Sequence, residues 1–318
     1  MNPGKRSKPA TPPLTIQLLR EGILESWHTC QAVVVDSKGR LLTLAGCAET
    51  SIFARSALKP IQAIPLITSG AMGRWQLNEA DLAIACGSHQ GTVEQSRQAF
   101  HILWQCDVDS SALQCPIPPD KSSPLQHNCS GKHAAMIAIC QQQGWEIGSY
   151  MDRNHPVQQM ILQTMAEMLH MPPAEFISAK DDCGVPTYLL EIGQLAHLYA
   201  QLAGGETYRL PLECIVRSMT QYPHLIAGAG KFDTELMQLS KGTLISKSGA
   251  EGVQCIGKVG EGLALALKVA DGSARARHVS AIHLLRQLGW LSPSNAEKLA
   301  ETFAVPSRHT RLEVIGEI

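Results

Sequence analysis

The clearest pattern of apolar and polar positions lies near the start of the chain. Apolar residues run through Thr15 to Leu19 and Gln31 to Val35, Asp36-Ser37-Lys38-Gly39 interrupts them, and Arg40 to Ala45 resumes. Such β-branched runs around an Asp/Gly turn predict a hairpin. Farther on, Ile61 to Ile67 is apolar enough to be buried, with Pro65 bending or shortening any helix there. Leu77-Asn78-Glu79-Ala80-Asp81 predicts an N-cap and a helix to about Cys86, and Thr92 to Gln105 resumes helical spacing with Val93, Ala99, Leu103 and Trp104. Between them, Cys86-Gly87-Ser88-His89-Gln90-Gly91 predicts a glycine-flanked elbow whose backbone N–H groups are free.

The proline-rich stretch Cys115 to Pro124 reads as an ordered loop or a crossing strand, and Ala134 to Gln142 as a small-residue helix. His155 to His170, Pro186 to Ala203 and Pro211 to Gln221 predict three more helices, each with proline near its start. Gly242 to Lys247, Gly252 to Gly257 and Gly262 to Val269 are short β-rich runs set apart by glycines. Two helices follow, Ala274 to Leu288 and Pro293 to Phe303, then an edge strand at Arg311 to Ile315. Strands at both ends with helices between predict an α/β fold of the α+β type: a mostly antiparallel sheet built from the two termini, its faces covered by the helical middle. Residues 1–13, with four prolines and no periodicity, read as a disordered tail, and residues 14–318 as one domain.

Composition narrows the classes. A hydrophobic content of 44% and a charged content of 17% describe a globular chain with material for a core. The net charge of -1 gives no electrostatic reason to expect nucleic acid or an anionic membrane. No apolar run is long enough to span a bilayer, and no signal-peptide region follows Met1, so the cytoplasm is expected. The ten cysteines are scattered in apolar contexts, which predicts mostly buried, reduced thiols.

Candidate chemistry starts at Arg55-Ser56-Ala57-Leu58-Lys59-Pro60. On the first turn of a helix Ser56 and Lys59 share a face, so a neutral amine can serve a hydroxyl as base. Alone the pair says little, but Lys247-Ser248-Gly249 on a late strand changes its weight. A Ser-x-x-Lys followed by a late Lys-Ser/Thr-Gly occurs in serine acyl-transferring enzymes of the β-lactamase and penicillin-binding type. If Lys59 and Lys247 converge, each helps to keep the other uncharged. Three loops, Cys86 to His89, Asn128 to His133 and Lys180 to Pro186, gather thiol, hydroxyl, imidazole and carboxylate groups where binding sites are commonly built. Cys129 with His133 or Lys132, plus Cys183, has the donor types for zinc, although buried free cysteines explain the same residues.

Six ordered motifs carry a resemblance. Arg55 to Pro60, Cys86 to His89, Asn128 to Ala134, Asp181 to Pro186, Ala227 to Thr234 and Lys247 to Gly252 together resemble the Rhizobium etli type, or class 3, of L-asparaginase, from about Leu14 to near the C-terminus. The resemblance implies a hydrolase converting L-asparagine to L-aspartate and ammonia, on a fold similar to serine β-lactamases and glutaminases, as a homodimer. It implies the pairs Ser56–Lys59 and Ser88–Lys247, substrate contacts from Arg55, His89, Asn128, Asp181, Gly249 and Glu251, and a zinc ion held by Cys129, Lys132 and Cys183. A related serine acyl hydrolase and a zinc-dependent amidohydrolase are the alternatives. Asp182 stands where the family usually has glycine, Gly87 and Gln90 where it has alanine and serine, and Lys231 where arginine is common. The first of these puts in question either a left-handed turn or an extra carboxylate near the metal.

Overall fold

The computed structural model describes residues 10–318. The strands are β1 (Leu14–Arg20), β2 (Ile23–Asp36), β3 (Leu41–Ala45), β4 (Ser51–Phe53), β5 (Ile177–Lys180), β6 (Pro186–Glu191), β7 (Leu244–Ser248), β8 (Val253–Lys258), β9 (Leu263–Val269) and β10 (Thr310–Ile315). Seven form an antiparallel sheet in the order β10-β1-β2-β9-β8-β7, with β3 pairing β2. The predicted sheet from both chain ends, with its hairpin and an edge strand at β10, is what forms.

Strand alternation explains why β2 is apolar at consecutive positions: Val33 and Val35 join one apolar cluster, Ala32 and Val34 the other. The first cluster is covered by the helical middle of the chain. The second face is covered by the C-terminal helices Ala274–Gln287 and Pro293–Phe303 and by the helix Phe232–Leu239, not by the middle as expected. That last helix has only eight residues after a glycine-rich run, too short for its period to stand out.

Three further expectations are corrected. The predicted helix Pro186 to Ala203 is a strand followed by a helix: β6 is the centre of a second sheet, β4-β6-β5, and the helix spans Ile192–Gly204. Proline suits a first strand position as well as a first helical turn, and Glu191 with Gln194 forms the capping box that starts the helix. The helix expected from Ala134 begins at Ser130. Of the supposed tail, residues 1–9 lie outside the described residues, whereas Thr11 is tied to the end of β3: its N–H donates to Gly46 O (3.1 Å) and its hydroxyl to Leu44 O (3.0 Å). Pro65 shortens the helix as expected: Lys59–Gln62 and Ile64–Thr68 are separate short helices joined at Ala63. All ten cysteines are unpaired thiols, eight of them buried. Among the described residues no helix is long and apolar enough to cross a membrane.

Candidate active site

The site begins where β4 ends. Ala54 N–H donates to Tyr188 O (3.0 Å) of β6, and Arg55 N–H to Thr187 Oγ1 (3.1 Å), which holds Arg55 at a left-handed φ of 50°. A non-glycine residue kept there needs such external restraint. The chain then passes through a one-turn 3-10 helix, Arg55–Leu58, into the helix Lys59–Gln62, with Pro60 in its first turn. This turn packs on β7 and β8. Gly249 is needed for that approach, since a Cβ there would lie 3.0 Å from both Ala54 O and Val253 Cβ.

Lys59 is fully buried and its Nζ meets Gly87 O (2.6 Å), Asn128 O (2.9 Å) and Ser88 Oγ (3.0 Å). Burial pushes its pKa down; Cys129 opposes this and Lys132 adds to it, with a net depression. Ser56 is half-buried and is not among the lysine's hydrogen-bond partners. The implied pairing Ser56–Lys59 is thus replaced by Ser88–Lys59. Lys247, also fully buried, donates to Ser248 O (2.6 Å) rather than to Ser88. Burial lowers its pKa to about 7; Asp233 raises it, while Lys59 and Arg277 lower it further. The two amines do share one electrostatic neighbourhood.

Ser88 occupies the predicted elbow between the helices Glu79–Cys86 and Val93–Gln105. Its glycines allow close packing: a Cβ on Gly87 or Gly91 would collide with the Leu225 or the Gln126 carbonyl oxygen. The elbow's N–H groups are mostly not free, contrary to expectation. Ser88 N–H donates to Ile226 O (2.6 Å), Gln90 N–H to Gln95 Oε1 (3.0 Å) and Gly91 N–H to His89 Nδ1 (3.1 Å). His89 N–H donates to no acceptor among the described residues.

The His89 ring is a brace. Because Nδ1 accepts from Gly91, Nε2 carries the proton and donates to Ser130 Oγ (2.9 Å), which donates to Leu125 O (2.8 Å). Burial, then Lys59, drops its pKa to about 3, so it stays neutral. Both ring nitrogens are engaged, which leaves none for the substrate contact expected of it. Asn128 is exposed, its side-chain oxygen 3.1 Å from Cys129 Sγ. Glu251 is exposed in the turn after β7 at a φ of 56°, its carbonyl accepting from Lys268 Nζ (2.6 Å).

Arg55 turns its guanidinium to two carboxylates, donating from Nε to buried Asp181 and from Nη2 to exposed Asp182. The left-handed φ in this turn belongs to Gly184 (97°), and Asp182 supplies an extra carboxylate. Beside it lie the free thiols of Cys129 and Cys183, each acting on the other's proton, with Lys132 Nζ 3.3 Å from Cys183 Sγ. The pair shares a proton, the thiolate form falling to Cys129 and the retained proton to Cys183. Burial opposes the charge on Lys132, but the two sulfurs outweigh it and raise its pKa. His133 is drawn away by Tyr150, which accepts from Gln114 N–H and so donates to His133 Nδ1 (2.6 Å). Among the described residues no three His, Cys, Asp or Glu side chains form a metal-binding group.

Two charged residues near Lys247 have roles that spacing does not reveal. Asp233 accepts four hydrogen bonds around β7, and Arg277 Nη1 donates to Gly249 O (3.2 Å). Asp233 sits in the motif Ala227 to Thr234, which marks its position but not its purpose.

Fold and site together define a mixed α/β protein with an antiparallel sheet, helices on both faces and a buried amine against a serine hydroxyl. The chain belongs to the L-asparaginase II family, whose model matches residues 16–318. No curated protein matches the chain. Similar solved structures include Mglu in its glutamate form (13% identity, TM-score 0.48, 82% of this chain and 61% of that one). They also include a β-lactamase from Mycobacterium bovis (13%, 0.44, 87% and 95%) and a putative β-lactamase from Bacteroides dorei DSM 17855 (14%, 0.43, 76% and 87%). The chain therefore spans 61% of the length of that Mglu structure.

Proposed function

We propose that the protein is an L-asparaginase that hydrolyses the side-chain amide of L-asparagine by acyl transfer to Ser88, with Lys59 as base. The observation that carries this reading is the set of partners around Lys59 Nζ. A neutral amine has two N–H donors and one lone pair. Two backbone carbonyls, which only accept, take the donors, and the Ser88 hydroxyl is left to point its proton at the lone pair. No carboxylate competes for the amine, and burial disfavours its charged form.

The steps balance with these groups. Ser88 Oγ bonds to the amide carbon while its proton passes to Lys59 Nζ. Lys59 returns that proton to the amide nitrogen, the C–N bond breaks and ammonia leaves. Water then adds to the ester through the same base, and aspartate departs with Ser88 restored. His89 N–H, next to the nucleophile, is the available donor for the oxyanion. Arg55 offers its guanidinium to the α-carboxylate, with Asp181 holding it in place. Ser56, on the turn packed against β7, and Lys247, whose amine shares the electrostatic neighbourhood of Lys59, are the groups we assign to the relay of the proton that Lys59 exchanges once substrate is bound.

The thiols of Cys129 and Cys183 and the Lys132 amine fit zinc, being two sulfur donors and one nitrogen donor already in contact with a coordination position to spare. Held there, a zinc ion would orient the polar groups of the substrate. The same reading includes a homodimer, which light scattering tests.

Ammonia release from L-asparagine and L-glutamine is the direct test. L-asparagine is the expected preferred substrate, and a rapid quench followed by mass spectrometry is expected to find an aspartyl ester on Ser88. An ester on Ser56, or none, would refute the assignment of Ser88.

A further inference from the structure

Beneath the strand that carries Lys247 lies the most heavily bonded carboxylate near the site. Asp233, second in the helix Phe232–Leu239, is 1% exposed. Its Oδ1 accepts from Ser246 Oγ (2.7 Å) and Gln254 Nε2 (2.8 Å), and its Oδ2 from Ser248 N–H (2.9 Å) and Ser248 Oγ (2.7 Å). Four donors fill the lone-pair sites of a carboxylate.

Their arrangement is specific. Along a strand alternate residues share a face, so Ser246 and Ser248 face the helix while Lys247, between them, faces the other way. The apolar neighbours agree: Leu244 belongs to the cluster on the Asp233 side, and Ile245 and Cys255, the cross-strand partner of Lys247, to the cluster on the opposite side. Asp233 therefore grips the residues immediately before and after Lys247 from behind the sheet. Arg277, from the same side, secures the next residue through Gly249 O.

We infer that Asp233 is the positioning residue for Lys247: it fixes β7 on both sides of the lysine and supplies the carboxylate charge that balances the amine through the sheet. This rests on the reading of Lys247 as part of the catalytic relay. The ionisable groups around the amine are Lys59 on the helix Lys59–Gln62, Arg277 on the helix Ala274–Gln287, Cys129 ahead of the helix Ser130–Gln143, Cys86 at the end of the helix Glu79–Cys86, Cys255 on β8 and Asp233. Lys59 and Arg277 oppose the proton on Lys247, and burial keeps Cys86 and Cys255 as neutral thiols. Asp233 is the carboxylate among them that favours that proton.

The decisive substitution is Asp233→Asn, which removes the charge and keeps the shape. The cavity accepts it, because Gln254 Oε1 is buried without a partner and an amide flip turns it toward the new N–H donors. Two measurements follow: the pH profile of kcat/KM for L-asparagine, and the 15Nζ NMR titration of Lys247, assigned with Lys247→Met. Both midpoints are expected to fall by roughly one pH unit. An unmoved NMR midpoint in a folded variant overturns the inference. A shifted NMR midpoint with an unmoved rate profile upholds it and removes Lys247 from the catalytic reading instead. Ser248→Ala tests positioning alone, since it deletes one of the bonds and keeps the charge. It is expected to lower kcat several-fold with the pH midpoint in place, and an unchanged kcat would overturn the positioning claim.

Discussion

A primary amine removed from water must either find a counter-charge or release its proton, and the two buried lysines solve this differently. Lys59 is satisfied by two carbonyls and a hydroxyl, so Lys59→Met is expected to keep the fold and lower kcat/KM by about 10²- to 10⁴-fold, the usual range for a lost general base. Circular dichroism beside the ammonia assay checks both halves. Lys247 keeps a pKa of about 7 against an ordinary 10.5, which sets the sign of two pH effects. Activity that needs the neutral amine is expected to rise as pH passes through about 7. Between 7 and 10.5 the unfolded chain binds the proton that the folded protein does not, so this lysine's contribution to stability grows with pH across that window and is lacking below it. A thermal midpoint that falls between pH 7 and 9 in the native protein, but not in Lys247→Met, would contradict that sign. Asp182 is a third case. It adds a second carboxylate to Arg55 while remaining exposed, so it competes with any substrate carboxylate. Asp182→Asn is expected to lower KM by up to about fivefold at low salt with kcat unchanged, a surface charge being worth about 1 kcal/mol at most. The gain should fade as salt is added.

Elements set these side chains, and their glycines show how. Gly91 and Gly144 both have left-handed φ, 67° and 66°. A Cβ on Gly144 meets nothing within 4 Å, whereas one on Gly91 collides with the Gln126 carbonyl. Gly144→Ala is thus expected to cost only the left-handed penalty, about 1 kcal/mol. Gly91→Ala is expected to cost more and to lower kcat as well, because it displaces the elbow of Ser88. Denaturant unfolding of both variants makes the comparison, and equal losses would refute it. Elements of this kind differ in how well they could be read in advance. The hairpin, the Asn78 cap and the glycine-separated late strands announce themselves through local residues alone. The strand β6 does not: Pro186-Thr187-Tyr188-Leu189 suits either a strand or a first helical turn, and only its pairing with β4 and β5 decides. The elbow was legible as a break but not in its donors, since the acceptor for Ser88 N–H lies at Ile226, on a distant segment.

Over the whole molecule the same division holds. The motifs around residues 55, 88, 129, 183 and 247 could be ordered along the chain, yet the partner of Lys59 depends on how the helical layer meets the edge of the sheet at β7. Residue spacing favours neighbours three apart, but tertiary packing brought in a serine from another loop. The thiol site is likewise made by two distant segments, and folding alone brings its charges together. Without metal, Lys132 stays protonated because the thiolate charge of the cysteine pair lies beside it, and Cys129 and Cys183 share one proton. A divalent ion that takes these three ligands must displace both protons, so zinc affinity is expected to rise with pH and binding to release close to two protons. Calorimetric titration of metal-free protein in buffers of different ionisation enthalpy reads that number directly. Cys183→Ser should weaken binding strongly, and Lys132→Met should weaken it while lowering the count by about one. Zinc bound with no proton release, or equally tightly by both variants, would mean that these groups are buried thiols beside an ion-paired lysine and that the metal, if bound, sits elsewhere.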